Sequence, residues 1–194
     1  MKNLMKLVLC TLVIAGLFGC GESKPKCEHA NTTTKYEISG LSIKKSVTCN
    51  DCEKEVSKGT VSKLQYVYDK VLVDEGGIKV TLLNVEVDGW ATVTMNVEIE
   101  GTSDSKRTFN VEKTFLNGYD EALFVYASDL SGNKKSLDSE WINGVKGEDF
   151  LTEQNYEVEM DYKILDSDSY HEISSGEVKF NLNEYTSVKE IEKQ

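Results

Sequence analysis

Ala91, Val93, Met95, Val97 and Ile99 alternate with Thr92, Thr94, Asn96 and Glu98, and this period of two constrains the chain more than any other feature. Successive side chains of a strand point to opposite faces, so such a run buries one face and wets the other. Tyr156, Val158, Met160, Tyr162 and Ile164 repeat the pattern against Glu157, Glu159, Asp161 and Lys163. Shorter versions run through Ile78-Val80-Leu82, Phe109-Val111, Leu123-Val125 and Val178-Phe180-Leu182. Turn pairs separate them at Gly76-Gly77, Asp88-Gly89, Asn117-Gly118, Gly132-Asn133 and Ser175-Gly176. With no long amphipathic helix between the runs, seven to nine strands across residues 61–186 predict an all-β immunoglobulin-like antiparallel sandwich. An up-and-down barrel is the alternative. Residues 187–194 read as a polar tail.

The N-terminus is written differently. Lys2 and Lys6 precede a charge-free apolar run from Leu7 to Phe18. That run is short of the roughly 20 apolar residues a spanning helix needs. Residues 1–19 therefore read as a secretory signal, and residues 20–26, holding the single proline of the chain, as a spacer. Acidic residues outnumber basic ones by 33 to 22, and loss of the two signal lysines takes the net charge from −11 to near −13. A chain with that charge, spread along its length, attracts no nucleic acid.

Cys27, His29, Cys49 and Cys52 mark a small module over residues 27–58, with a hairpin turning at Ser39-Gly40. Cys10 leaves with the signal, so three cysteines remain after Cys20, and pairing by disulfide strands one thiol. Three cysteines and a histidine make a complete tetrahedral set for a structural zinc. On an extended strand Cys27 and His29 share a face, while Cys49-x-x-Cys52 suits a knuckle offering two sulfurs to one ion. Two readings stay open, zinc on all four residues or a disulfide from Cys27 to Cys49 or Cys52, because an oxidising compartment favours the bridge. A redox Cys-x-x-Cys lacks its βαβ setting.

Leu17-Phe18-Gly19-Cys20 resembles the signal ending of bacterial lipoproteins. The resemblance implies lipidation of Cys20 and tethering to the extracytoplasmic face of the cell membrane. Phe18 departs from the family's preference for a smaller residue. Cys27-x-His29 followed by Thr48-Cys49-x-x-Cys52 is similar to zinc-ribbon-like modules of exported Gram-positive proteins, with Glu53 standing where those usually carry glycine. Asp74 to Val80, Asn117-Gly118-Tyr119, Ala127-Ser128-Asp129-Leu130 with Gly132 and Lys134-Lys135, and the run from Ile164 to Tyr170 resemble an uncharacterised immunoglobulin-like family of such proteins. That family implies the fold and no activity.

Enzyme signatures are absent. There is no Gly-x-Ser-x-Gly elbow and no phosphate-cradling glycine loop, and His171-Glu172 is not followed by a second metal-binding histidine. Asp129, Ser131, Asn133 and Glu140 fall at calcium-loop spacing, but Gly132 is misplaced for the turn and the flanks read as strands. Trp90 and Trp141 can stack on sugars where exposed. The expectation is a non-catalytic binding or structural module whose partner is a surface protein or cell-wall ligand. The alternatives are a small-molecule or metal-sensing lipoprotein and, behind it, a hydrolase.

Overall fold

The computed structural model describes residues 27–152 and 155–192. Residues 1–26, with the signal, Cys20 and the spacer, lie outside the described residues.

Three strands, β1 (Thr32–Ser39), β2 (Ser42–Cys49) and β3 (Glu55–Val61), form a small antiparallel sheet in that order. The next ten build the sandwich. β4 (Lys63–Glu75), β5 (Ile78–Asp88), β6 (Val93–Gly101), β10 (Lys135–Trp141) and β13 (Ser187–Ile191) make one sheet in the order β10-β6-β5-β4-β13. The facing sheet runs β12-β11-β7-β8, from β7 (Arg107–Leu116), β8 (Tyr119–Glu121), β11 (Glu157–Asp166) and β12 (Glu172–Asn181), with β9 (Tyr126–Leu130) also on β7. A single short helix, α1 (Gly147–Leu151), precedes β11 among the described residues.

Setting β5-β6-β10 against β12-β11-β7-β8 reproduces the crossing of an immunoglobulin-like fold, in which consecutive strands leave one sheet, enter the other and return. β4 and β13 are additions that widen the first sheet. The sheets remain open, so the barrel alternative falls.

The alternating runs supply the core. Val93, Met95, Val97 and Ile99 of β6 face Phe109, Val158, Met160 and Ile164 of the other sheet, all at most 2 % exposed. Phe109 also stacks on Tyr162, ring centroids 5.7 Å apart. In β5 the register slips between Leu82 and Asn84, which moves the buried set from Ile78, Val80 and Leu82 to Val85 and Val87. A bulge of this kind keeps one face apolar across a break in sequence period.

Two expected boundaries shift. Residues 187–191 are a strand and not part of a free tail, because Ser187–Ile191 pair with Lys63–Val67 along the edge of β4. The small module does not end at residue 58. β3 continues to Val61, and a single residue, Ser62, separates it from β4. Ile43 and Val61, paired across β2 and β3, are buried in the sandwich core. Gly89 lies so close to the β1-β2 turn that a Cβ there would meet the Leu41 carbonyl at 2.5 Å, which is why the chain carries glycine at this contact.

Candidate functional site

The lead-in to β1 and the turn after β2 bring the four metal-type residues together. Cys49 ends β2, opposite Thr32 of β1, and is fully buried. The chain then reverses through Asn50, Asp51 and Cys52. The N–H of Glu53 donates to the Cys49 carbonyl at 2.8 Å, and the Cys49 N–H donates to the Lys54 carbonyl at 2.9 Å. This tight reversal forces Glu53 to φ = 58°, the left-handed region that disfavours side chains with a Cβ. The position where the resembling modules carry glycine is thus the one whose backbone asks for it.

Polar side chains clamp this turn to the segment before β1. Asn50 N–H donates to the Asn31 carbonyl at 2.9 Å, Asn50 Nδ2 to Asn31 Oδ1 at 2.9 Å, and Thr33 Oγ1 to Asn50 Oδ1 at 2.8 Å. Residues 27–30 are not extended strand as expected, since His29 itself has φ = 55°. The kink at His29, rather than strand alternation, is what carries its imidazole to the cysteines.

The result is a compact donor set. Cys27 Sγ lies 3.4 Å from Cys49 Sγ, Cys52 Sγ lies 3.5 Å from His29 Nδ1, and all four ligand atoms fall within 4.8 Å of one another. Ligands about 2.3 Å from a tetrahedral ion sit roughly 3.7 Å apart along each edge, so this cluster is at ion-binding distance. All three thiols are free, and 3.4 Å is well beyond the ~2.05 Å of a sulfur–sulfur bond. The His29 side chain stabilises the Cys49 thiolate by hydrogen bonding and outweighs its burial, taking that thiol down to about 6. The His29 backbone N–H favours the Cys27 thiolate, but hydrogen bonds with Cys49 and Cys52 outweigh it and push Cys27 up to about 11. The buried Cys49 is therefore the readier thiolate of the two.

Other sequence candidates are placed apart from this cluster. His171 is exposed ahead of β12. Asp129 belongs to β9 and Glu140 to β10, so the calcium-spaced residues enclose a plain strand-to-strand turn. Asp166 accepts hydrogen bonds from the backbone and hydroxyl of Ser169 and pairs with Arg107 at 3.0 Å, which makes 166–169 a tied turn. A second carboxylate group, Glu159, Asp161 and Glu177, has two members paired with Lys179, at 2.8 and 3.0 Å. One depression, of 760 Å³, is an open trough along β1-β2-β3, lined by Lys35, Lys44, Lys58, Glu37 and Glu55.

The structure adds a surface that sequence reasoning named only in part. Trp90 and Trp141 are 71 % and 66 % exposed, and Leu137, Phe124 and Tyr126 join them on the β10 side of the sandwich at 71 %, 70 % and 54 %. Asp138 accepts the Tyr126 N–H at 3.0 Å, which holds the Phe124-Tyr126 segment alongside β10. A signal existed. In the run Leu123-Phe124-Val125-Tyr126-Ala127 both faces are apolar, although only Leu123, Val125 and Ala127 are buried.

No protein-family model, curated protein or solved structure matches this chain.

Proposed function

We propose that this protein is a lipid-anchored extracytoplasmic module that binds another cell-surface component through its sandwich and performs no chemistry of its own. The observation that carries this reading is the exposed aromatic edge. Exposed large apolar side chains gathered near the β10 edge form the kind of surface that marks an interaction site. The depressions elsewhere among the described residues are troughs partly open to solvent, unlike a pocket that encloses its ligand.

In this reading the Cys/His module is the spacer between anchor and sandwich, and Cys27, His29, Cys49 and Cys52 hold one structural zinc. Three sulfurs and one imidazole nitrogen complete a tetrahedron and leave no position for a reacting water, so the ion would serve folding.

The test uses surface cross-linking in intact cells. Trp141→Ala should abolish the dominant cross-linked product without lowering the amount of protein, and an unchanged product would reject the aromatic edge as the binding surface. Cys20→Ser should release the protein from membranes, and retention would reject the anchor. Purified protein should carry about one zinc per chain, lost in Cys49→Ser.

A further inference from the structure

β10 is the outermost strand of its sheet. The Gly101 N–H donates to the Lys134 carbonyl at 2.9 Å and the Ile142 N–H to the Val93 carbonyl at 3.0 Å, so the even-numbered residues of this stretch bond towards β6. In an antiparallel ladder the alternate residues then turn their backbone groups outward. Leu137, Ser139 and Trp141 are those residues, and among the described residues no strand pairs with them on that side. The Ser139 N–H is taken by Asp138 Oδ1 at 2.9 Å, which leaves Leu137 and Trp141 presenting open backbone donors and acceptors beside their exposed side chains.

The same edge is negatively charged. Asp138 and Glu140 lie on β10, and Glu121 reaches its far end by accepting the Asn143 N–H at 3.1 Å. None of the three carboxylates forms an ion pair among the described residues, and the one lysine of the strand, Lys135, is already held by Glu98 at 2.7 Å and Glu100 at 3.6 Å. Burial is the main reason the Glu140 carboxyl stands above its ordinary value; the charge of Asp138 adds to it, and the Phe124 N–H that it accepts opposes it.

Building on the reading of the sandwich as a binding module, we propose that the β10 edge receives an extended, lysine- or arginine-bearing segment of another protein as an added strand. Backbone hydrogen bonds to Leu137 and Trp141 would fix the segment, as in other strand additions to open sheet edges. Its cations would lie on the Trp141 face, where cation–π attraction acts, while the carboxylates of Asp138, Glu140 and Glu121 supply the negative field that draws the segment in. A second copy of this chain is a poor occupant, because each copy carries a net charge of −11 and would bring like carboxylates face to face.

The experiment measures binding of the full chain to three probes: a peptide of alternating lysine and valine, the same peptide with glutamate for lysine, and a chito-oligosaccharide. The lysine peptide should bind, with affinity falling as salt rises, and the glutamate peptide should not. Leu137→Pro removes one outward N–H at an edge position that tolerates proline and should weaken binding about tenfold with the fold intact. Glu121→Gln should weaken it by a smaller factor, and provides the check if Leu137→Pro fails to fold. Equal binding of both peptides, or lysine-peptide binding indifferent to both variants, overturns the added-strand proposal. Sugar binding lost in Trp141→Ala, without peptide binding, overturns it while leaving the broader binding reading in place. Binding of no probe, together with an unchanged surface cross-link in Trp141→Ala, removes both.

Discussion

The three-stranded sheet and the sandwich are made of strands of comparable length, but they are stabilised in different ways. The sandwich encloses two dozen or more buried apolar side chains between its sheets, whereas β1, β2 and β3 bury only Ile43, Cys49 and Val61. Even these three do not form an interior of their own. Ile43 and Val61 sink into the sandwich core, and Cys49, at the opposite end of β2, belongs to the four-ligand cluster. Apolar burial fixes one end of the small sheet and metal-type ligands gather at the other. A sheet of three short strands with one face on water needs such supports, since it cannot remove enough apolar area from solvent alone.

This comparison breaks most visibly at the ligand end. A strong chelator, or Cys49→Ser, should open β1 and β2 to hydrogen exchange while β5, β6 and β11 stay protected. Structural zinc contributes on the order of 10 kcal/mol in small modules that lack a core, so the local loss should be complete near residues 27–34 and 47–55. Unchanged exchange in β1 and β2 would show that the sandwich contacts alone hold the small sheet.

At the other end, Ile43→Ala should cost about 2 to 5 kcal/mol, because Ile43 is fully buried and its removal leaves a cavity where two regions meet. Both the sandwich and the small sheet should lose stability, read as a single lowered thermal transition. A drop confined to β1-β2 would separate Ile43 from the sandwich core.

The polar contacts between the regions are a weaker seam. Glu190 of β13 accepts a hydrogen bond from Tyr36 Oη at 2.7 Å and pairs with Lys45 at 2.7 Å, tying β1 and β2 to the sandwich. The Lys45 ammonium, helped by the Tyr36 hydroxyl, holds the Glu190 carboxyl below the usual carboxylate range. A depressed carboxyl stabilises the fold above its unfolded value and loses that contribution as pH falls through its folded value. The small sheet should therefore loosen from the sandwich in acid, below about pH 4. Glu190→Gln should remove that acid dependence and cost about 1 kcal/mol at neutral pH. Exchange at β13 followed against pH checks both points, and an acid response that survives in Glu190→Gln would assign it elsewhere.

How far the sequence could foresee this arrangement differs between the regions for a physical reason. Strands buried on one face, such as β6 and β11, announce themselves by alternation, and Asn117-Gly118 takes positive φ at both residues as a hairpin turn requires. β3 and β13 carry no such signal. Glu55–Ser57 and Ser187–Ile191 are exposed throughout, and partners remote in sequence make them strands, β2 for one and β4 for the other. The four ligands could be read as a set from residue type and spacing. The kink at His29 that assembles them could not, nor could the exposure of Phe124, whose residue type suits a core equally well.

The smallest test concerns that same turn. Glu53 holds φ = 58° with its side chain exposed, and an L-residue there pays about 1 kcal/mol in strain that glycine avoids. Glycine loses more backbone entropy on folding, roughly 0.5 to 1 kcal/mol, so the two effects nearly offset. Glu53→Gly should then stabilise the small sheet by a few tenths of a kcal/mol at most and slow loss of the ion to chelator slightly, with the sandwich transition unmoved. A destabilised knuckle in this variant would mean that the Glu53 side chain contributes more to the cluster than its exposed position accounts for, and the support at the ligand end of β2 would have to include it.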